Sequence, residues 1–110
     1  MQKEYRRRRT ADGVVVTVDG SPLNPRHDLY NHSPDGFEWG YSGSGPAQLA
    51  LAILADHSGN GALALAHHQE FKSRVVAGFP EQEWVLTSHD VSQALQAIFK
   101  NELEGPALVS

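Results

Sequence analysis

The sequence predicts a small α+β domain, a mainly antiparallel sheet packed on three helices in the order β-β-β-α-α-β-α. Three observations predict it. Two strand-like runs, YRRRR and VVVTV, lie on either side of an Asp-Gly turn signal near the N-terminus. Two helical stretches then follow one another after Pro46. A short apolar segment leads into a third helix with a strong start signal. With 110 residues, 40% of them hydrophobic and 20% charged, the chain suits one domain with one core, 1–110.

Tyr5 to Arg9 reads as a strand closed by Asp12-Gly13, and Val14 to Val18 as its hairpin partner, ending at Asp19-Gly20. Val14, Val16 and Val18 share one face by the two-residue period, which is expected to meet the helices. Residues 20–35 hold three prolines and many turn formers, so a long connection is expected, with one short strand near Asp28 to Asn31. Phe37, Trp39 and Tyr41 alternate with Glu38 and Gly40, the pattern of a third strand.

Pro46 fits the first position of a helix, where a missing N–H costs nothing. Leu49, Ala50, Ala52, Ile53 and Leu54 cover nearly its whole circumference, so this helix should be buried. Asn60 can cap the next, which carries Ala64, His68, Phe71 and Val75 on one stripe and stops at Gly78 and Pro80. Trp84 to Leu86 reads as a short strand. Thr87 and Asp90 have capping-box spacing, with Leu86 and Val91 placed as a hydrophobic staple. The last helix, about 88–104, shows an apolar face of Val91, Ala94, Leu95 and Ile98. It is expected to stop at Gly105-Pro106, leaving a tail over 105–110.

Composition excludes several functions. There is no cysteine, hence no disulfide, thiolate metal site or cysteine nucleophile. The basic N-terminus has no apolar stretch behind it long enough for a signal peptide or membrane span, so a cytoplasmic protein is expected. Residues 1–9 carry five basic side chains against one acidic, and the remainder four against twelve. A short basic edge on an acidic body lacks the broad basic face of a duplex-DNA binder.

Gly40, Gly43 and Gly45, followed by Pro46, point to a binding place. Glycines permit unusual backbone angles and close approach, and the N–H groups opening the following helix attract phosphate or carboxylate. Tyr41, Ser42, Gly43, Ser44 and Gly45 are therefore the candidate ligand-binding residues. The same glycines equally suit a tight turn that lets the helix pack closely. Phe37, Trp39 and Tyr41 suit either core packing or base stacking, with Tyr41 the best placed to reach a surface. Arg6, Arg7, Arg8 and Arg9 alternate in facing, and serve either as a charged guard on an edge strand or as contacts to an anion or acidic partner.

Six histidines offer no metal set. His67 and His68 are adjacent, about 100° apart on a helix, and cannot chelate as an i, i+4 pair would. No nucleophile-elbow pattern accompanies Ser44, His57 or His89. Neither a catalytic set nor a cofactor motif is assigned.

The stretch GFEWGYSGSGPAQLALAIL at 36–54, with YRRRRTADGVVVTVDGSPL before it and HHQEFKSRVVAGFP after it, resembles a small domain family of bacteria and archaea, and of their phages and mobile elements. Its mark is F-x-W-G-Y-x-G-S-G-P before an apolar helix, kept here as Phe37, Trp39, Gly40, Tyr41, Gly43, Ser44, Gly45 and Pro46. The resemblance covers about residues 4–87 and brings no activity with it. Its phage-borne members imply one setting, inhibition of a host defence, either against a CRISPR effector or by sequestering a signalling nucleotide.

The function expected is a non-catalytic binding protein for a phosphorylated ligand, a nucleotide or a partner protein. Two other readings stand beside it. One is a small enzyme of phosphoryl or nucleic-acid chemistry using His57, His67 or His89 with a nearby acid. The other is an acidic interaction domain that mimics nucleic acid towards a basic partner.

Overall fold

A computed structural model describes residues 2–11, 13–34 and 36–104, with the side chains of Arg9, Thr10, Val14 and Glu104 outside that description. The first hairpin forms as expected: β1 (Glu4–Thr10) pairs antiparallel with β2 (Gly13–Val18), Tyr5 opposite Val18 and Arg9 opposite Val14. The turn residue Asp12 and the stop at Gly105-Pro106 lie outside the described residues, as does the tail.

Asp19 and Gly20 both take positive φ, 50° and 87°, the signature of a two-residue hairpin turn. That turn leads straight into β3 (Ser21–Pro22), which pairs with the end of β2. The third strand is therefore this short piece. Residues 37–41 form no strand, because Gly36 and Gly40 sit at φ 126° and 81° and break the extended run on both sides. No strand forms near Asp28 to Asn31 either; residues 27–29 make a turn.

β4 (Val85–Thr87) lies on the other side of β1, giving the order β3-β2-β1-β4. The arginine strand is thus interior, which corrects the expectation of an edge. β4 reaches only from Glu4 to Arg6, however, while β2 runs the full length of β1, so residues 7–10 have one sheet neighbour.

Helix α1 (Ser44–Ser58) begins two residues before Pro46, with Gly43 as its extended N-cap. Pro46 stays within the first turn, where no backbone donor is needed. Residues 45–55 are all buried, as an all-apolar helix requires. Gly59 ends it in the left-handed conformation at φ 65°. The Asn60 side chain accepts from the Leu63 N–H at the start of α2 (Gly61–Arg74), whose buried face is Ala64, His68 and Phe71. A 3₁₀ turn at Val76–Gly78 follows. Helix α3 (Ser88–Glu104) carries the expected reciprocal cap: Asp90 N–H donates to Thr87 Oγ1 at 3.1 Å, and Thr87 N–H to Asp90 Oδ2 at 2.9 Å.

One polar side chain interrupts the buried stretch of α1. Gln48 is fully buried, and its Oε1 accepts from the N–H groups of His32 and Ser33 at 2.7 and 3.1 Å. Its Nε2 donates to the carbonyls of Pro25 and Tyr30 at 2.6 and 3.1 Å. A single amide thereby uses both donors and both acceptor positions to hold the long 23–34 connection against the helix.

Candidate functional site

The alternation of β1 sends Tyr5 and Arg7 towards the helices, and Arg6 and Arg8 outwards. Tyr5 is buried and gives its hydroxyl to Asp56 at 2.7 Å. Burial, together with that bond to a carboxylate, pushes its pKa well above the ordinary phenol value. Arg6 pairs with Glu4 on the exposed face, and Arg8 is exposed. Arg7, past the last β4 pairing, lines a cleft of about 560 Å³ with Phe37, Glu38, Trp39, Tyr41 and Phe79. Its Nε is buried and has no hydrogen-bond partner among the described residues.

The walls of this cleft are held in place by contacts behind them. Trp39 donates its indole N–H to the Glu81 carbonyl at 3.0 Å, and Gly40 N–H donates to the Val76 carbonyl at 3.1 Å. Phe79 stacks on the buried Trp84 with ring centres 4.3 Å apart, and Trp39 meets Trp84 edge-on at 5.7 Å. Tyr41 is 47% exposed and donates to Glu38 Oε1 at 2.6 Å. That hydrogen bond to the carboxylate favours the protonated phenol and raises its pKa.

Glu38 also lies against the start of α1. A Cβ placed on Gly45 would come within 2.6 Å of Glu38 Cβ and 2.8 Å of Oε1. A Cβ on Gly43 would meet the Tyr41 ring at 2.6 Å. So these two glycines admit the close approach of Glu38 and Tyr41, and a carboxylate of the chain itself occupies ground that an anionic ligand would need. Gly45 is buried, Gly43 half-buried, and Ser42 and Ser44 are exposed. Of the sequence-predicted site residues, Tyr41 and Arg7 share the cleft. Arg6 and Arg8 face elsewhere, and the Arg9 side chain lies outside the described residues. Sequence reasoning missed Glu38, Phe79 and Glu81; the one visible signal was a charged residue set between two aromatics.

Five of the six histidines fall into three places. His67 contacts Glu102 at 3.1 Å and the Phe99 ring. His57 and His89 line a separate cleft with Lys3, Ser88 and Ser92. His32 and His68 meet at 2.8 Å between their Nε2 atoms. His68 Nδ1 faces the carbonyls of Ala64 and Leu65 and therefore carries the proton, leaving Nε2 to accept from His32. Burial, then the neighbouring His68 and Lys72, hold the His32 pKa below its ordinary value. Burial and Lys3 do the same for His57 against an opposing pull from Asp56. Among the described residues, no three His, Asp or Glu side chains gather as a metal site, and no helix is long and apolar enough to cross a membrane.

A family of unknown function, DUF6166, matches residues 5–97, and the chain belongs to that family. The matched region extends into α3. No curated protein and no solved structure matches the chain.

Two outcomes are expected. Gly45→Ala forces Glu38 off the helix start and lowers unfolding free energy by about 1–3 kcal/mol, despite alanine's better helix propensity. Gly43→Ala needs only the exposed Tyr41 ring to swing away and lowers it by less; urea denaturation of both variants checks the order. Stability also falls on acidification. A histidine pKa depressed by folding means that the unfolded chain binds more protons below about pH 6.5. The contribution is thus whole above that pH and is lost as pH falls towards the folded value. Denaturation midpoints measured down to about pH 5 should show this slope, and His32→Asn should flatten it.

Proposed function

We propose that this protein is a non-catalytic binding protein that docks a partner protein in the cleft between β1 and residues 37–41, taking a basic side chain of that partner. The observation that supports this most is the make-up of the cleft. Half-buried and exposed aromatic rings surround it, with one cation, Arg7, against two carboxylates, Glu38 and Glu81. Ring faces attract a guanidinium or ammonium group by about 0.5–2 kcal/mol each, and the carboxylates add to that attraction. A phosphate would instead meet Glu38 where the helix start could have received it.

A second hollow of about 780 Å³ also borders Arg7, with Pro80, Gln82 and Glu83. An extended segment of a partner has room to continue there, and its carbonyl groups would accept from the guanidinium of Arg7. Glu38, Glu81 and Glu83 border the two hollows and attract a basic partner to them. A nucleic-acid-handling effector of a host defence, basic where nucleic acid enters, is a partner of this chemistry, and a phage or mobile element is a setting for it.

Trp39 reports the test by its fluorescence. An arginine- and lysine-containing peptide should change the emission saturably, with affinity falling steeply as salt rises. Tyr41→Ala and Glu38→Gln should each weaken binding about tenfold or more. Saturable binding of nucleoside phosphates lost in Tyr41→Ala, with no response to the basic peptide, would overturn the reading.

A further inference from the structure

A second cleft, of about 410 Å³, is lined by Gln2, Lys3, His57, Ser88, His89 and Ser92. These side chains come from the lead into β1, the last turn of α1 and the first turns of α3. None of them is acidic, although residues 10–110 carry twelve acids against four bases. Asp56, next to His57 in the chain, is already engaged. Its Oδ2 accepts from Lys3 Nζ at 3.2 Å and from the buried Tyr5 hydroxyl at 2.7 Å.

The donors of this cleft are only partly used. A lysine ammonium has three N–H groups, and one of those on Lys3 is directed to Asp56. Ser92 Oγ lies 3.3 Å from His57 Nε2, and Ser88 Oγ accepts from the Lys3 N–H at 3.0 Å, which leaves its hydroxyl proton free to donate. His89 is exposed. We propose that this cleft binds the phosphate group of a phosphate monoester, with Lys3, His57 and the hydroxyls of Ser88 and Ser92 as its donors.

The choice of phosphate over a carboxylate follows from number and charge. Donors converge from three elements, which suits three terminal oxygens better than two. A dianion carries enough charge to hold a protonated histidine beside Lys3, part of whose own charge is offset by Asp56. In the free protein the groups that bear on His57 are Lys3 and Asp56; burial and Lys3 favour the neutral ring, against Asp56. A dianion placed between Lys3 and His57 reverses that balance, so binding should draw a proton onto the ring. The site stands apart from the aromatic cleft and does not depend on it.

The test is a titration of the full chain with inorganic phosphate and with glycerol phosphate, followed by the histidine ring resonances in NMR. Acetate at matched ionic strength is the control. The His57 and His89 signals should shift saturably, with affinity higher at about pH 6 than at about pH 8. Lys3→Gln and Ser92→Ala should each weaken binding about tenfold with the remaining spectrum unchanged, while Tyr41→Ala leaves it alone. Shifts that do not saturate by tens of millimolar, that acetate reproduces, or that persist in both variants would overturn the proposal.

Discussion

The Gln48 amide is the interaction on which the rest of the structure rests. An eleven-residue stretch of α1 is buried on every side, so something must cover every side. The sheet is small, and two of its strands have only two or three residues. The 23–34 connection supplies the missing cover. Backbone brought against a buried helix needs hydrogen-bond partners, and an apolar side chain offers none. Four bonds from one glutamine meet that need at Pro25, Tyr30, His32 and Ser33.

The same demand for cover shapes the candidate site. Residues 36–43 are drawn over the start of α1, and that position turns the aromatic rings into core on one side and cleft wall on the other. Trp39 reaches Trp84 inside and the cleft outside. Gly43 and Gly45 serve this closeness by leaving room for Tyr41 and Glu38. The glycine-rich turn thus works as a packing device, and its charge character comes from Glu38. The anion site proposed at Lys3, His57 and Ser92 uses none of the motif's glycines.

Much of the fold was legible because local rules carry it. The β-branched run of β2, the apolar circumference of α1, the stripe on α2 and the Thr87–Asp90 cap each follow from spacing along the chain. The third strand was not legible. Ser21–Pro22 is too short to show a period, whereas Phe37, Trp39 and Tyr41 show a strand's period without its backbone, since Gly36 and Gly40 turn the chain. The site was half legible. Alternation separates Arg7 from Arg6 and Arg8, but whether that face would be open depended on where β4 stops. Contacts such as Glu38 against Gly45, or His32 with His68 across 36 positions, arise from tertiary packing and leave no periodic trace.

Gln48 is the one amide among the buried residues of α1, and its role yields the sharpest test. Replacing a buried polar side chain by an apolar one of similar size is near neutral when no partner is stranded. Here four backbone groups would be. The decisive measurement is the unfolding free energy of Gln48→Leu against the parent chain. A loss of about 2–4 kcal/mol, with faster amide exchange at His32 and Ser33, is the result this account predicts. A variant as stable as the parent, with those two amides still protected, would contradict it.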